Sequence, residues 1–167
     1  EGGSRLVLNK TVAGHSGPNN RTCLLDSIRT LLPANMKELV FSAMAASMPA
    51  QGDTSVSHIK NALATHGLLL KAVNGKYLQT GGAPFHLLKE SNCKLIINIK
   101  LIREGETMSH FVAWDGKIIT DKPKSSMVNS SSDRRNAKMS NLVFEKLFPK
   151  SEFSSWQITA VYQLILN

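Results

Sequence analysis

The sequence has few cysteines, few aromatic residues and no long hydrophobic run, and each shortage excludes a class of protein. Its 167 residues include two cysteines, Cys23 and Cys93, too few for a disulfide framework or a cysteine zinc site. No apolar run approaches the roughly 20 residues that a membrane-spanning helix needs. No basic and then apolar stretch opens the chain, so no signal peptide is expected. A membrane protein, a disordered tail and a disulfide miniprotein are therefore excluded.

Motifs for metals and nucleotides are also missing. The five histidines are scattered, without a His-x-x-x-His pair. No glycine-rich phosphate loop follows a predicted strand. We therefore expect no metal and no cofactor.

Hydrophobic residues make up 42% of the chain, which suits one domain with a real core. We expect that domain over residues 5–167, after a processed end or cloning remnant at 1–4.

The net charge of +8 suits an acidic protein or peptide partner. Half of it lies in the segment Lys117–Lys138, predicted to be a long loop after Asp121. Nucleic acid is possible but not favoured as a partner, because no aromatic residues interleave with these charges.

Hydrophobic spacing predicts helices first and strands afterwards. The helical segments are Thr22–Leu32, ended by Pro33, Met36–Met48, a third capped by Asp53 or Thr54 and ending at Gly67, Pro84–Glu90, and Leu142–Phe148. The strand segments are Arg5–Asn9, Leu68–Val73, Lys94–Ile102, a hairpin, and Trp156–Leu166. This order predicts an α+β fold, with N-terminal helices packed on a mostly antiparallel sheet.

The predicted hairpin carries the first chemical signal. Its strands and turn are Ser109–Trp114, Asp115-Gly116 and Lys117–Asp121. A two-residue turn fixes the register, so we expect Ala113 opposite Ile118 and His110 opposite Asp121. Directly opposed residues have Cβ atoms about 4.5–5.5 Å apart. The spacing therefore predicts an imidazole beside a carboxylate, a pair that also occurs as a purely structural contact.

Cys23 is the candidate nucleophile. With Thr22 as the N-cap, Cys23 lies in the first helical turn, where the helix dipole favours a thiolate. A carboxylate on one nitrogen of His110 leaves the other nitrogen to take the thiol proton. The alternative for Cys23 is a small buried hydrophobe, which is also the prediction for Cys93. Asp115 is a rival orienting acid, although its place in the turn favours a structural role.

The order Cys, His, Asp resembles that of papain-like cysteine peptidases, whose Cys opens the first main helix and whose His and acid lie on a later hairpin. Residues 20–28 are similar to the block around the Cys of ovarian-tumour (OTU) deubiquitinases. Residues 110–121 look more like the hairpin of Josephin-type and bacteriocin-processing peptidases. Together the blocks cover 21 of 167 residues, about one eighth of the chain. The resemblance implies a papain-like fold and a triad of Cys23, His110 and Asp121.

The sequence departs from the papain-like pattern before the cysteine. Papain-like enzymes often have a Gln five or six residues earlier, where this chain has Pro18 and Gly17. The oxyanion donor is therefore expected from Asn19 or Asn20, together with the backbone N–H of Cys23. The alternative role for both asparagines is turn formation.

The resemblance implies a thiol hydrolase acting on peptide or isopeptide bonds. Ubiquitin or a ubiquitin-like protein is the expected substrate, because both resemblances include deubiquitinases. Three alternatives stay open: an acyltransferase or transglutaminase-type enzyme, a non-catalytic peptide-binding module, and a basic nucleic-acid binder. A reactive thiol fits the reducing cytoplasm. A secreted effector and an excised polyprotein fragment are the alternatives for its origin.

Overall fold

The computed structural model describes residues 22–73, 93–116, 118–120, 136–138 and 147–166. The described elements, in chain order, are α1 (Cys23–Leu31), α2 (Lys37–Ala46), α3 (Val56–Thr65), β1 (Leu68–Ala72), β2 (Leu95–Arg103), β3 (Glu106–Trp114), β4 (Ile118–Thr120), β5 (Asn136–Lys138) and β6 (Ser155–Leu166). The strands form one sheet in the order β1-β6-β2-β3-β4-β5, and every described pairing is antiparallel. The predicted α+β class, with helices first, is confirmed.

Strand β2 is the centre of the sheet and is covered on both faces. Ile96 packs with the three helices, whereas Ile97 and Ile99 are buried on the opposite face. On that opposite face they meet Phe148 and Phe153, which follow the last gap in the described chain. A strand covered on both faces needs a nearly continuous hydrophobic run rather than alternation. This explains the apolar run in the sequence of β2.

Helix α1 packs its hydrophobic face on the sheet. Leu24, Leu25, Ile28 and Leu31 are all buried, as the predicted helical spacing requires. Pro33 follows the helix and prevents it from continuing. The first helix is therefore confirmed, with the same N-cap residue as predicted, Thr22.

Two lysines satisfy the carbonyl groups at the end of α1. The ammonium of Lys94, just before β2, donates to the Leu31 carbonyl oxygen at 2.8 Å. Lys37, at the start of α2, donates to the Arg29 carbonyl oxygen at 3.0 Å. The last carbonyls of a helix have no partner inside the helix, and cations are favourable there. The two lysines thus join α1 to its neighbours at its C-terminal end.

The predicted cap of α3 is wrong by one or two residues. The cap is Ser55, whose backbone N–H donates to the His58 imidazole Nδ1 at 2.9 Å in a capping box. The hydroxyl of Thr54, predicted as one possible cap, is buried and makes no hydrogen bond in the described structure. The helix therefore starts at Val56, two residues after the later predicted cap.

The predicted register of the second hairpin is also wrong. Ala113 lies opposite Thr120 rather than Ile118, and Trp114 lies opposite Ile119. A two-residue type I′ turn requires positive φ at both central residues, and Asp115 does not adopt it. The connection between β3 and β4 is therefore two residues longer than the predicted Asp115-Gly116 turn.

The two-residue turn occurs instead in the preceding hairpin. There Glu104 and Gly105 have φ of 52° and 80°, and Arg103 lies directly opposite Glu106. Positive φ at both central residues is the condition for a type I′ turn. The turn at Glu104 and Gly105 therefore fixes the register of β2 on β3.

The long loop predicted up to Lys138 contains a strand. Residues of β5 pair with β4, with Ala137 opposite Ile119. Nothing in the local sequence favours a strand there, so tertiary pairing at the sheet edge overrides the local preference. Three other predicted elements lie wholly or mostly outside the described residues: Arg5–Asn9, Pro84–Glu90 and Leu142–Phe148.

Removing the Lys94 side chain tests its role at the end of α1. Lys94→Ala is expected to lower the free energy of unfolding by about 2 kcal/mol, because the buried Leu31 carbonyl loses a charged donor. Lys100→Ala, at an exposed position of β2, is the matched control. Urea denaturation measures both. Equal losses in the two variants would contradict the assignment.

Candidate active site

Helix α1 places Cys23 against strand β3. Cys23 is the first residue of α1, and its side chain is 7% exposed. It belongs to the core cluster on the helix side of the sheet, together with Phe111 and Ala113 of β3. The helix therefore brings the predicted nucleophile to the strand that carries His110.

The backbone of Phe111 is the point where α1 and β3 meet. Ser27, one turn after Cys23, donates its hydroxyl to the Phe111 carbonyl oxygen at 3.1 Å, 84 residues away in the chain. A backbone hydrogen bond from Phe111 acts on the Cys23 thiol. Residues four apart lie on the same helix face, so one face of α1 makes both contacts. Within the described chain β4 pairs with β3 at Ala113 and Trp114.

Burial controls the charge state of this thiol. Loss of solvent raises the pKa of the Cys23 thiol from 9.0 to about 12, while the backbone hydrogen bond from Phe111 lowers it. The carboxylates of Asp26 and Asp53 raise this pKa further, because they repel a thiolate. The expectation that the helix start lowers the pKa is therefore wrong for this arrangement. The thiol is neutral at pH 7.

The imidazole of His110 lies on the other face of the sheet. His110 is opposite Ile99 across the strands, and its ring meets the Phe148 ring edge-on, with centroids 5.8 Å apart. Ile99 and Phe148 both belong to the core cluster away from the helices. Because successive side chains of a strand alternate between faces, the imidazole leaves β3 on the side opposite Cys23. Strand β3 therefore lies between the Cys23 thiol and the His110 imidazole.

The other predicted site residues lie outside the described chain: Asp121, Asn19 and Asn20. The argument that placed Asp121 opposite His110 used the two-residue turn, which the structure contradicts. The pairing of these two side chains itself stays a prediction. Asp115, the rival acid, is an exposed residue after β3.

Three polar residues beside this contact were not singled out from the sequence. Ser27 was detectable, since it is four residues after Cys23 and so on the same helix face. Asn98 lies opposite Phe111, and its side-chain oxygen accepts a hydrogen bond from the Ser109 hydroxyl at 2.9 Å. The register of β2 on β6 also shifts at Asn98. The positions of Asn98 and Ser109 beside this contact depend on the register of the strands, which no local sequence pattern specifies.

Comparison of the chain with protein-family models, curated proteins and solved structures finds no match. In the described part of the chain, no group of three or more His, Cys, Asp or Glu residues is able to hold a metal ion. None of the described helices is long and apolar enough to cross a membrane. Cys23 and Cys93 are both thiols rather than a disulfide. The site is therefore interpreted from its own geometry.

The raised pKa of Cys23 makes stability depend on alkaline pH. The thiol ionises at 9.0 in the unfolded chain and at about 12 in the folded one, so unfolding releases a proton between these values. Stability therefore falls as pH rises through this window, by up to about 1.4 kcal/mol per pH unit from this group. Denaturation at several pH values is expected to show a shallower decline for Cys23→Ala.

Cys93→Ala is the matched control for this measurement, because it removes a half-buried thiol. It is expected to keep the wild-type dependence of stability on pH. If Cys23→Ala and wild type decline in parallel above pH 9, the thiol is not held neutral by burial.

Proposed function

We propose that the protein is a thiol hydrolase that cleaves peptide or isopeptide bonds, with Cys23 as nucleophile and His110 as the group that moves its proton. The contact between Cys23 and the backbone of Phe111, the residue after His110, carries the proposal. This contact joins the start of α1 to β3, the strand that carries His110. The papain-like resemblance requires the nucleophile and the histidine on such a helix and strand. A papain-like fold, with Asp121 orienting the imidazole, is part of the same proposal.

The neutral thiol determines the order of the chemical steps. Since burial favours the protonated form, the proton leaves Cys23 as the sulfur attacks, not beforehand. The proton passes to His110 while a sulfur–carbon bond forms at the substrate carbonyl. The carbon–nitrogen bond then breaks, and the imidazolium returns the proton to the leaving amine. Water hydrolyses the thioester, which releases the acid and restores the thiol.

The first step requires the imidazole and the sulfur to meet around the edge of β3. In the described residues, β4 pairs with β3 at Ala113 and Trp114, close to this edge. We propose that substrate binding brings the His110 ring to this edge. Asn19 or Asn20, with the backbone N–H of Cys23, remains our proposal for the oxyanion donors.

The proposed substrate is ubiquitin or a ubiquitin-like protein. This follows from the resemblance to OTU and Josephin-type enzymes over residues 20–28 and 110–121. The net charge of +8 also favours an acidic partner surface. A nucleophilic thiol is suited to the cytoplasm, which we propose as the location.

A second candidate is a binding module that holds a peptide without cleaving it. The burial of Cys23, its pKa of about 12 and the contact of His110 with Phe148 favour this alternative. In that case Cys23 acts only as a core residue that joins α1 to the sheet, and His110 only as a core residue that packs against Phe148 on the other face.

A covalent probe separates the two candidates. The full chain is incubated with ubiquitin carrying a thiol-reactive C-terminal electrophile, and intact mass spectrometry follows the adduct. We expect an adduct on Cys23 that disappears in Cys23→Ala. Its rate is expected to fall at least about 100-fold in His110→Ala, because general acid–base catalysis is lost.

Cys93→Ala and His66→Ala are the matched controls, and both are expected to react at the wild-type rate. An adduct that survives Cys23→Ala would contradict the assignment of the nucleophile. If Cys23 in the folded protein resists both the probe and a small alkylating reagent, the protein is a binding module. Fast alkylation without a ubiquitin adduct would keep the hydrolase and exclude ubiquitin.

A further inference from the structure

Ser27 is a buried polar residue whose hydroxyl reaches out of its own helix. Its side chain is 1% exposed, and the described chain buries only two other polar side chains to a similar degree, Thr54 and His110. A hydroxyl in the middle of a helix usually bonds back to the preceding turn, as Thr30 does to the Asp26 carbonyl oxygen at 2.8 Å. Ser27 instead donates across the core to Phe111 of β3.

The target of Ser27 is the same residue whose backbone acts on Cys23. In an extended strand the N–H and C=O groups of one residue point to the same edge. A donor that holds the Phe111 carbonyl therefore also fixes the direction of the Phe111 N–H. The Cys23 thiol lies on the helix side of that edge, one helical turn before Ser27.

We propose that Ser27 is the positioning residue of the Cys23 site: by holding the Phe111 carbonyl, its hydroxyl fixes the Phe111 N–H on the Cys23 sulfur. The effect of Ser27 on the reaction rests on the proposed hydrolase. The effect of Ser27 on the position of the Phe111 N–H does not. Ser27 acts through the backbone of Phe111.

The fixed N–H has a defined role in the reaction. Negative charge develops on sulfur as the proton leaves, in a site where burial opposes that charge. A backbone donor already aimed at the sulfur stabilises the charge without reorganising. If the Phe111 carbonyl had no partner, the orientation of the Phe111 N–H would vary, and the N–H would have to reorganise before it stabilised this charge. The hydrogen bond from Ser27 to the carbonyl prevents this.

The test compares Ser27→Ala, Ser27→Thr and Thr30→Ala. Hydrogen exchange of the Phe111 amide, followed by NMR, is expected to become about tenfold faster in Ser27→Ala. It is expected to stay at the wild-type rate in Ser27→Thr, which keeps the hydroxyl. Thr30→Ala is the matched control, since it removes a hydroxyl from the same helix without touching β3.

The ubiquitin probe supplies the second readout. At saturating probe, Ser27→Ala is expected to form the Cys23 adduct about tenfold more slowly, with no change in the probe concentration that gives half the maximal rate. Ser27→Thr is expected to restore the rate. A residue that only supports the fold would instead alter both quantities or neither.

The outcomes separate this inference from the proposed function. If the wild type forms no adduct, the hydrolase fails, and faster Phe111 exchange in Ser27→Ala still supports the positioning. If Ser27→Ala exchanges like wild type, the positioning is overturned whatever the adduct shows. Should Ser27→Ala not fold, Ser27→Cys decides, because its thiol is a weak donor to the Phe111 carbonyl and must speed exchange of the same amide.

Discussion

The backbone of Phe111 is the constraint on which the described structure depends. A buried strand edge cannot leave its N–H and C=O groups without partners. At this residue the partners come from one face of α1, through the Ser27 hydroxyl and the Cys23 thiol. The contact sets where the first helix crosses the sheet, and it places the candidate nucleophile at the backbone of the residue after His110.

The same contact explains why the thiol is neutral. A helix N-terminus stabilises a nearby anion by about 0.3–1 kcal/mol. The rise of the Cys23 pKa from 9.0 to about 12 corresponds to about 4 kcal/mol in the opposite direction. Desolvation therefore outweighs the helix dipole at this position. A hydrolase built on it activates its nucleophile during the reaction, with help from a donor that is already in place.

The two faces of the sheet divide the roles of neighbouring residues. Phe111 points toward the helices and the thiol, whereas His110 points toward Phe148 and the second core cluster. Adjacent positions of one strand thus serve different layers, as the alternation of a strand requires. Because Cys23 and His110 lie in different layers, the proposed proton transfer between them requires a path around the edge of β3 at Phe111. The geometry at this edge therefore distinguishes the proposed hydrolase from the binding module.

Much of this architecture follows from local sequence. The spacing of Leu24, Leu25 and Ile28 determines an amphipathic α1, Pro33 ends it, and the apolar run of residues 94–102 predicts the strand β2. The segregated α+β order and the place of Cys23 at the helix start also come from the sequence, because they depend on periodicity and capping.

Tertiary structure decided the register and the environment of the site. The turn after Trp114 is longer than Asp115-Gly116 suggests, since Asp115 lacks the positive φ of a type I′ turn. The short strand β5 exists only because it pairs with β4. The pKa of Cys23 depends on how much solvent the packed helices remove, a quantity that no sequence spacing contains. Local preference therefore determined most of the elements, whereas long-range packing determined β5 and which backbone group meets the thiol.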